Sequence, residues 1–273
     1  MISTWALFTG FVRLEQRLFW RNKQAAIFSF ALPLIFVVVF PNLISGDANP
    51  GLPFKNYFVA GMVGVAIVSA TYTTMAIALT FQRDLLNLKR LRATPLSPSI
   101  IFAGKIASAG IVVLIQLIIM LGVGRVFYDI RLPANWLTFV VFVVIGSCSF
   151  SAIGIGLSGL IPNSDSAPAI VQLPYITLQF ISGVFFPLNS SPDWLRYLAS
   201  VFPLRWLDDG LRAGYLGLDF VHGTQVRGRF MPNRVGTWSS LTSQWVGLLV
   251  LTGWAVVGVL VALRWFKWEK RSR

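Results

Sequence analysis

The sequence predicts an all-α, polytopic membrane protein with six transmembrane helices, an N-terminal interfacial helix, and short extracellular re-entrant helices before the last span. Three observations carry that prediction. The 273 residues are 55% hydrophobic and only 12% charged, and the mean hydropathy of +0.70 is far above that of a soluble domain of this length. Six apolar runs, 25–44, 57–81, 100–123, 136–161, 169–187 and 241–263, approach the roughly 20 residues a helix needs to cross a hydrocarbon core. The basic residues, finally, gather on one side of that six-span topology. Residues 1–273 read as a single membrane domain.

Before the first span, Leu7, Phe11, Leu14 and Leu18 share one helical face while Arg13, Arg17 and Arg21 lie away from it. That pattern describes a helix over 1–24 resting in the membrane interface, as a plain anchor or as an element that positions a partner. The first apolar run starts late and ends at Pro41 and Asn42 without a small-residue cleavage site, so the first span is expected to stay in the mature chain. Asp47, Arg83, Arg125, Pro162 with Asp165, and Arg264 mark the span ends.

An even number of spans puts both termini on one side. That side holds Arg13, Arg17, Arg21 and Lys23, then Arg83, Lys89, Arg90, Arg92 and Lys105, then Arg264, Lys267, Lys270, Arg271 and Arg273, fourteen of the 23 Lys and Arg. The positive-inside rule makes it cytoplasmic, and Trp20, Trp136, Trp265 and Trp268 fall near span ends as interface aromatics do. The net charge of +13 is then an orientation and anionic-lipid signal. With no soluble basic domain, it does not point to nucleic acid.

Residues 82–98, QRDLLNLKRLRATPLSP, form the most distinctive loop. Leu85, Leu88 and Leu91 recur at near-helical spacing, basic residues fill much of the rest, and Pro95 and Pro98 stop the helix continuing. A short rigid helix at a membrane surface is a docking element, suited to receiving a force or signal from a soluble partner. After the fifth span, Pro192, Trp194, Pro203, Trp206 and Gly210 punctuate two short apolar helices. They are too short to span, and read either as helices dipping partway into the outer leaflet or the protein, or as a folded external loop. On the second, Leu204, Leu207, Leu211 and Tyr215 share a face, Asp209 lies off it, and Asp208 and Arg212 stand i,i+4 apart. Residues 218–240 turn polar and Gly-rich and read as an exposed excursion.

Chemistry-bearing motifs are few. No G-x-x-x-x-G-K-[ST] wraps phosphates, and Gly154, Gly156 and Gly159 spell G-x-G-x-x-G inside an apolar span with no preceding strand, where close helix packing explains them better. His222 is the only histidine and Cys148 the only cysteine, so neither a metal site nor a nucleophilic dyad is indicated. Polar groups inside spans mark a candidate substrate path: Ser69, Tyr72 and Thr73, with Thr80, on the second span, and Gln172, Tyr175, Gln179 and Ser182 on the fifth. Such groups should face inward, as pore lining or as interhelical hydrogen-bonding glue. No mid-membrane carboxylate stands out, which argues against an ion-coupled carrier and for a large amphipathic or apolar cargo.

The segment LKRLRATPLSP, with SGVFFP at 182–187 and the 203–212 stretch, resembles the membrane subunit of type-2 ABC exporters, in particular the daunorubicin-exporter-like permeases. The likeness covers nearly the whole chain in span number, loop lengths and motif order. It implies a coupling helix at 82–98, with Arg83, Asp84, Lys89, Arg90, Arg92, Thr94, Pro95 and Leu96 fitting a cleft in a separate nucleotide-binding subunit. It implies an extracellular segment over 183–240, with Gly183, Pro187, Trp194, Pro203, Asp208 and Arg212 in its re-entrant part. One departure is that many relatives carry glycine where this chain has Leu86. The resemblance further implies a non-enzymatic export subunit of the bacterial inner membrane, with ATP and Mg on the partner ATPase and none in this chain. Its other partners are a second permease copy or a related permease, and membrane lipids. The expected cargo is a drug-like or lipid-like amphiphile. The alternatives are a lipid-linked polysaccharide exporter permease or an ATPase-independent lipid transporter.

Overall fold

A computed structural model describes residues 3–44, 46–94, 96–226 and 229–268. Helix α1 covers Thr4–Arg21, with Ser3 accepting from the Ala6 amide as its N-cap. Helix α2, Lys23–Leu43, carries Pro33 and Pro41 within it. A small hairpin, β1 Asp47–Asn49 with β2 Leu52–Pro53, leads into one long rod: α3 Phe54–Val68, a π-helical turn Ser69–Thr73, and α4 Thr74–Asp84. Then come α5 Asn87–Arg92, α6 Pro98–Tyr128, α7 Trp136–Leu160, α8 Ala167–Ile181, α9 Asp193–Val201 and α10 Pro203–Leu216. A second hairpin, β3 Leu218–Val226 antiparallel to β4 Arg229–Arg234, precedes α11 Thr237–Ser243 and α12 Trp245–Trp265.

Among the described residues, four helices are long and apolar enough to cross a membrane: Phe54–Asp84, Pro98–Tyr128, Trp136–Leu160 and Trp245–Trp265. Ser29–Leu43 and Ala167–Ile181 are apolar but shorter. Each matches one of the six expected runs, so the protein is a mostly helical, multi-pass membrane chain. The two hairpins correct the all-α expectation, and the second corrects the reading of 218–240 as an open excursion. There the buried Asp219 carboxylate accepts from the Val221 and His222 amides and from Gln244 Nε2, and Phe220 packs edge-on against Tyr57 of α3.

The fifth run also ends earlier than expected. Helix α8 stops at Ile181 rather than 187 because Gly183 adopts a left-handed φ of +80°, a conformation that ends helices. Pro98 starts α6 rather than blocking a helix, since it occupies the first turn behind the Ser97 N-cap.

The core is built around α3 and α10. Every α3 residue from Tyr57 to Val68 is buried, and α10 is buried nearly all round, enclosed by α3, α7 and α12. Small residues permit that enclosure. A Cβ on Gly61 would strike the Arg212 guanidinium, one on Gly64 the Asp208 carboxylate, and one on Gly146 the Leu207 side chain. The expected single apolar face of α10 is therefore corrected: Leu204, Leu207, Leu211 and Tyr215 are buried, and so are Asp208, Asp209 and Arg212. The three glycines of the G-x-G-x-x-G run are packing residues. Gly154 abuts the backbone of Tyr72, Gly156 the Gly258 carbonyl, and Gly159 the backbone of Trp265 and Phe266.

Close approach at Gly156 predicts a sharp contrast between two glycines of the α7–α12 pair. Gly156→Leu, whose Cβ would lie 2.6 Å from the Gly258 carbonyl oxygen, should cost at least about 1–3 kcal/mol by overpacking and lower the melting temperature in detergent. Gly253→Leu, with nothing within 4 Å, should leave it unchanged.

Candidate functional site

The end of the bundle that carries α1, α5 and the C-terminus of α12 is held by an apolar cluster of Met75, Leu79, Leu88 and Ile155, with Leu91, Phe102, Phe266 and Trp268 around it. The near-helical leucine pattern thus splits: Leu88 and Leu91 anchor α5, whereas Leu85 points outward, 65% exposed. The reason is the turn before α5. Leu86 sits at φ 59°, ψ 13°, a left-handed conformation costing a side-chain-bearing residue about 1–2 kcal/mol, and this reverses the chain after α4. Lys89, Arg90, Arg92 and Thr94 are exposed and Leu96 is half-buried; Pro95 lies outside the described residues.

Arg83 and Asp84 correct the expectation that they belong to the docking surface. Arg83 is buried and donates from Nη1 to the Ser158 carbonyl at 3.0 Å and from Nη2 to those of Ile161 at 2.7 Å and Pro162 at 3.4 Å. It closes the C-terminal turn of α7, where unpaired carbonyls and the negative end of the dipole favour a cation. Asp84 accepts from the Ser164 amide at 2.6 Å and lies 3.6 Å from Arg83. The pair holds the α7–α8 connection onto α4, directly behind α5.

A second tie joins the N-terminal helix to the same end. Lys105, counted in the sequence among the cytoplasmic-side charges, is buried and donates to Glu15 of α1 and to Gln82 of α4, both at 2.7 Å. Gln16 donates to the Ser108 carbonyl and hydroxyl, and Phe11 fills the space at Gly104. The protein-facing side of α1 is therefore Phe11, Glu15 and Gln16. Leu14 and Leu18, grouped with Phe11 on one helical face by the sequence pattern, are exposed, an apolar strip suited to the membrane interface.

The candidate path residues come together, but inside one protomer. Tyr72 of the π turn donates to the Val171 carbonyl at 3.4 Å. Tyr175 donates to that of Val65 at 3.4 Å and lies beside Ser69 and Gln179. Tyr72, Thr73, Tyr175, Gln179 and Ser182 are buried, while Ser69 and Gln172 are half-buried. This seam between the π turn and α8 is interhelical hydrogen bonding. The outward face of α8 is Leu173, Ile176 and Phe180.

At the opposite end, Gly183 and Val184 present carbonyls freed by the end of α8. Arg212 Nη2 donates to them at 3.0 and 3.2 Å, its guanidinium carbon lies 3.8 Å from the Tyr57 ring centroid, and the Tyr57 hydroxyl donates to the Gly183 carbonyl at 2.6 Å. Asp209 lies 3.6 Å from Arg205 and 3.7 Å from Arg212. The expected Asp208–Arg212 pair is replaced by this Asp209 pairing. Pro203 occupies the first turn of α10, Pro187 is half-buried, and Trp194 on α9 is exposed. The absence of a notable carboxylate among the spans is corrected too, because Asp208 and Asp209 are both buried against them. Burial pushes both carboxyls up, opposed by Arg212 at Asp208 and by Arg205 and Arg212 at Asp209.

With that geometry in view, the comparisons settle the family. A family model described as "ABC-2 type transporter" matches residues 6–216, which covers α1 to α10. The chain belongs to the ABC-2 type transporter family. It is similar to "Putative transport permease YvfS" of Bacillus subtilis, 21% identical over 67% of this chain and 75% of that protein. It is also similar to "Inner membrane transport permease YadH" of Escherichia coli K12, 22% identical over 68% and 73%. A third relative, "Probable multidrug ABC transporter permease YbhR" of the same strain, is 26% identical over 62% of this chain and 46% of its own length. As an ABC-2 protein the chain is a membrane permease of an ABC transporter, a transport subunit of a family that works with ATP-binding subunits.

The sequence reading missed the tying roles of Arg83, Lys105 and Arg212. A signal existed for Arg212: Gly61 and Gly64, three apart within the apolar run 57–68, leave room beside the helix for a bulky side chain.

Three substitutions separate tie from seam from surface. Arg83→Leu strands three carbonyls and Asp84, and should cost about 3–5 kcal/mol, read as a large fall in melting temperature or loss of the folded chain. Gln179→Leu, which removes a buried amide from the seam, should cost about 1–3 kcal/mol. Gln172→Leu should change little. The turn makes the opposite prediction, since Leu86→Gly relieves a left-handed leucine and should raise the melting temperature.

Proposed function

We propose that this ABC-2 permease is the membrane half of an exporter that moves an amphipathic drug-like or lipid-like molecule outward. It has six spans with α2 and α8 as the shorter two, both termini in the cytoplasm, and the bacterial inner membrane as its site. The energy comes from ATP and Mg on a separate nucleotide-binding subunit, and a second copy or a related permease completes the transporter. The observation that carries this reading is α5, a two-turn helix with Arg90 and Arg92 exposed beside the outward Leu85 and Leu86. It is fixed to the bundle by Leu88 from within and by the Arg83–Asp84 tie from behind.

A rigid knob of this kind transmits a push. Movement imposed on α5 passes through α4 to the C-terminal turn of α7 and to the connection that leads into α8, because Arg83 and Asp84 bond to both. An apolar tip flanked by cations suits a cleft with acidic walls, where charge sets orientation and buried apolar contact sets hold. Similarity to YbhR, a probable multidrug ABC transporter permease, supports the drug-like cargo. In the other chemistry considered, a lipid-linked glycan, transport would be competed by glycolipids and not by small amphiphiles.

At the opposite end, α10 sits buried among α3, α7 and α12 although it is only 14 residues long. In this reading it is a re-entrant helix reaching into the outer half of the membrane, and β3, β4 and α11 form its extracellular cap.

The test is a paired charge reversal. Arg90→Glu with Arg92→Glu should abolish co-purification with the ATPase subunit and transport in reconstituted vesicles while leaving the permease's melting temperature unchanged, as expected for exposed charges. A double variant that assembles and transports normally would remove α5 from the coupling role.

A further inference from the structure

Asp208 is the least satisfied charged group of the fold. Its side chain is completely buried and neither carboxylate oxygen has a hydrogen-bond partner among the described residues. One oxygen rests on Gly64 of α3, so close that a Cβ there would collide with it. The cation that acts on it, Arg212, gives Nη2 to the carbonyls of Gly183 and Val184 and holds Nη1 3.7 Å from Asp209, and its buried Nε makes no hydrogen bond to Asp208 or to any other described residue. An ionised carboxylate left in this position would lose its hydration with no hydrogen bond to replace it.

The surrounding charges give the same answer. Arg205, Asp209 and Arg212 share α10 with it, Asp219 stands nearby on β3 and bonds His222, and α3 carries the buried Tyr57 and the exposed Lys55. Helix α7 contributes no charged side chain and α12 only Arg264, at the other end of the bundle. Two arginines therefore face Asp209 and Asp219, and the cluster balances with Asp208 neutral.

We propose that Asp208 is a proton-binding site: it takes a proton from water at the hairpin end of the bundle when α10 seats against Gly64 and gives it back to water when α10 loosens. The O–H bond forms on a carboxylate oxygen, and no other group changes charge. Ionised Asp208 would compete for Arg212 and draw it off the Gly183 and Val184 carbonyls, releasing the end of α8. Proton occupancy is thereby linked to the seating of α10 and the end of α8, and if the export reading above holds, to opening on the outer side. The site itself does not depend on that reading.

The test uses the full chain in detergent. Because the seated state binds more protons than the unfolded one, wild-type stability contains a cost that grows as pH rises above the ordinary carboxylate range. Asp208→Asn, neutral and of the same shape, lacks that cost. It should melt above wild type at about pH 8, with a gap that narrows steadily toward about pH 5. In infrared spectra, wild type at neutral pH should show the carbonyl band of a protonated carboxylic acid that Asp208→Asn removes; if that variant fails to assemble, Asp208→Ala makes the same assignment. A gap independent of pH, an Asn variant that is less stable with a deficit growing toward high pH, or no band lost on substitution would each overturn the proposal. None of these readouts involves cargo or ATPase, so a failed export assay leaves them intact.

Discussion

Two buried arginines answer one constraint, that a helix ending inside a dry bundle leaves carbonyls with nothing to accept from. Arg83 supplies donors where α7 ends and Arg212 where α8 ends. Both guanidiniums reach carbonyls of a different segment and both are nearly inaccessible to solvent. A planar fork with five donors suits this task, because it bonds several carbonyls at once without needing a carboxylate for each. The placement of α5, α8 and α10 depends on these two contacts.

Small residues do the complementary work. Gly61 and Gly64 give the polar heads of α10 somewhere to lie, while Gly156 and Gly159 bring α7 against α12 at backbone distance. The helices that come closest are thus those with least side chain between them, and dispersion rather than the hydrophobic effect holds them once lipid surrounds the bundle. The exposed surface of α12, rich in Val, Leu and Trp, is the expected counterpart.

Most of the helical architecture was legible. The apolar runs gave six helices nearly to their ends because length and hydropathy are local properties, and Gly154, Gly156 and Gly159 read correctly as packing residues. What failed was anything set by tertiary contact. Arg83 and Asp84 look like surface charges in a basic loop, and only the fold shows α4 continuing through them into the interior. The α10 sequence alternates charge and leucine as an interfacial helix would, and nothing local says that α3 has been emptied of side chains to enclose it. The hairpin at 218–234 was hidden because its order comes from Asp219 capping and from Phe220 on Tyr57, not from alternation. The polar seam was found by residue type, and its hydrogen bonds between the π turn and α8 follow from where α8 turns.

The π turn at Ser69–Thr73 has one more consequence. A π turn inserts one residue into an α-helix, and one residue is about 100° of rotation at 3.6 residues per turn. Everything from Met75 to Asp84 is therefore rephased relative to α3, so that Leu79 enters the apolar cluster behind α5 and Arg83 meets the end of α7. In an uninterrupted helix the same guanidinium would be turned by more than a quarter circle, away from its carbonyls. The insertion acts as the phase setting of the rod: it lets one helix present a glycine face to α10 at one end and an arginine to α7 at the other, two demands that a single regular periodicity would not meet.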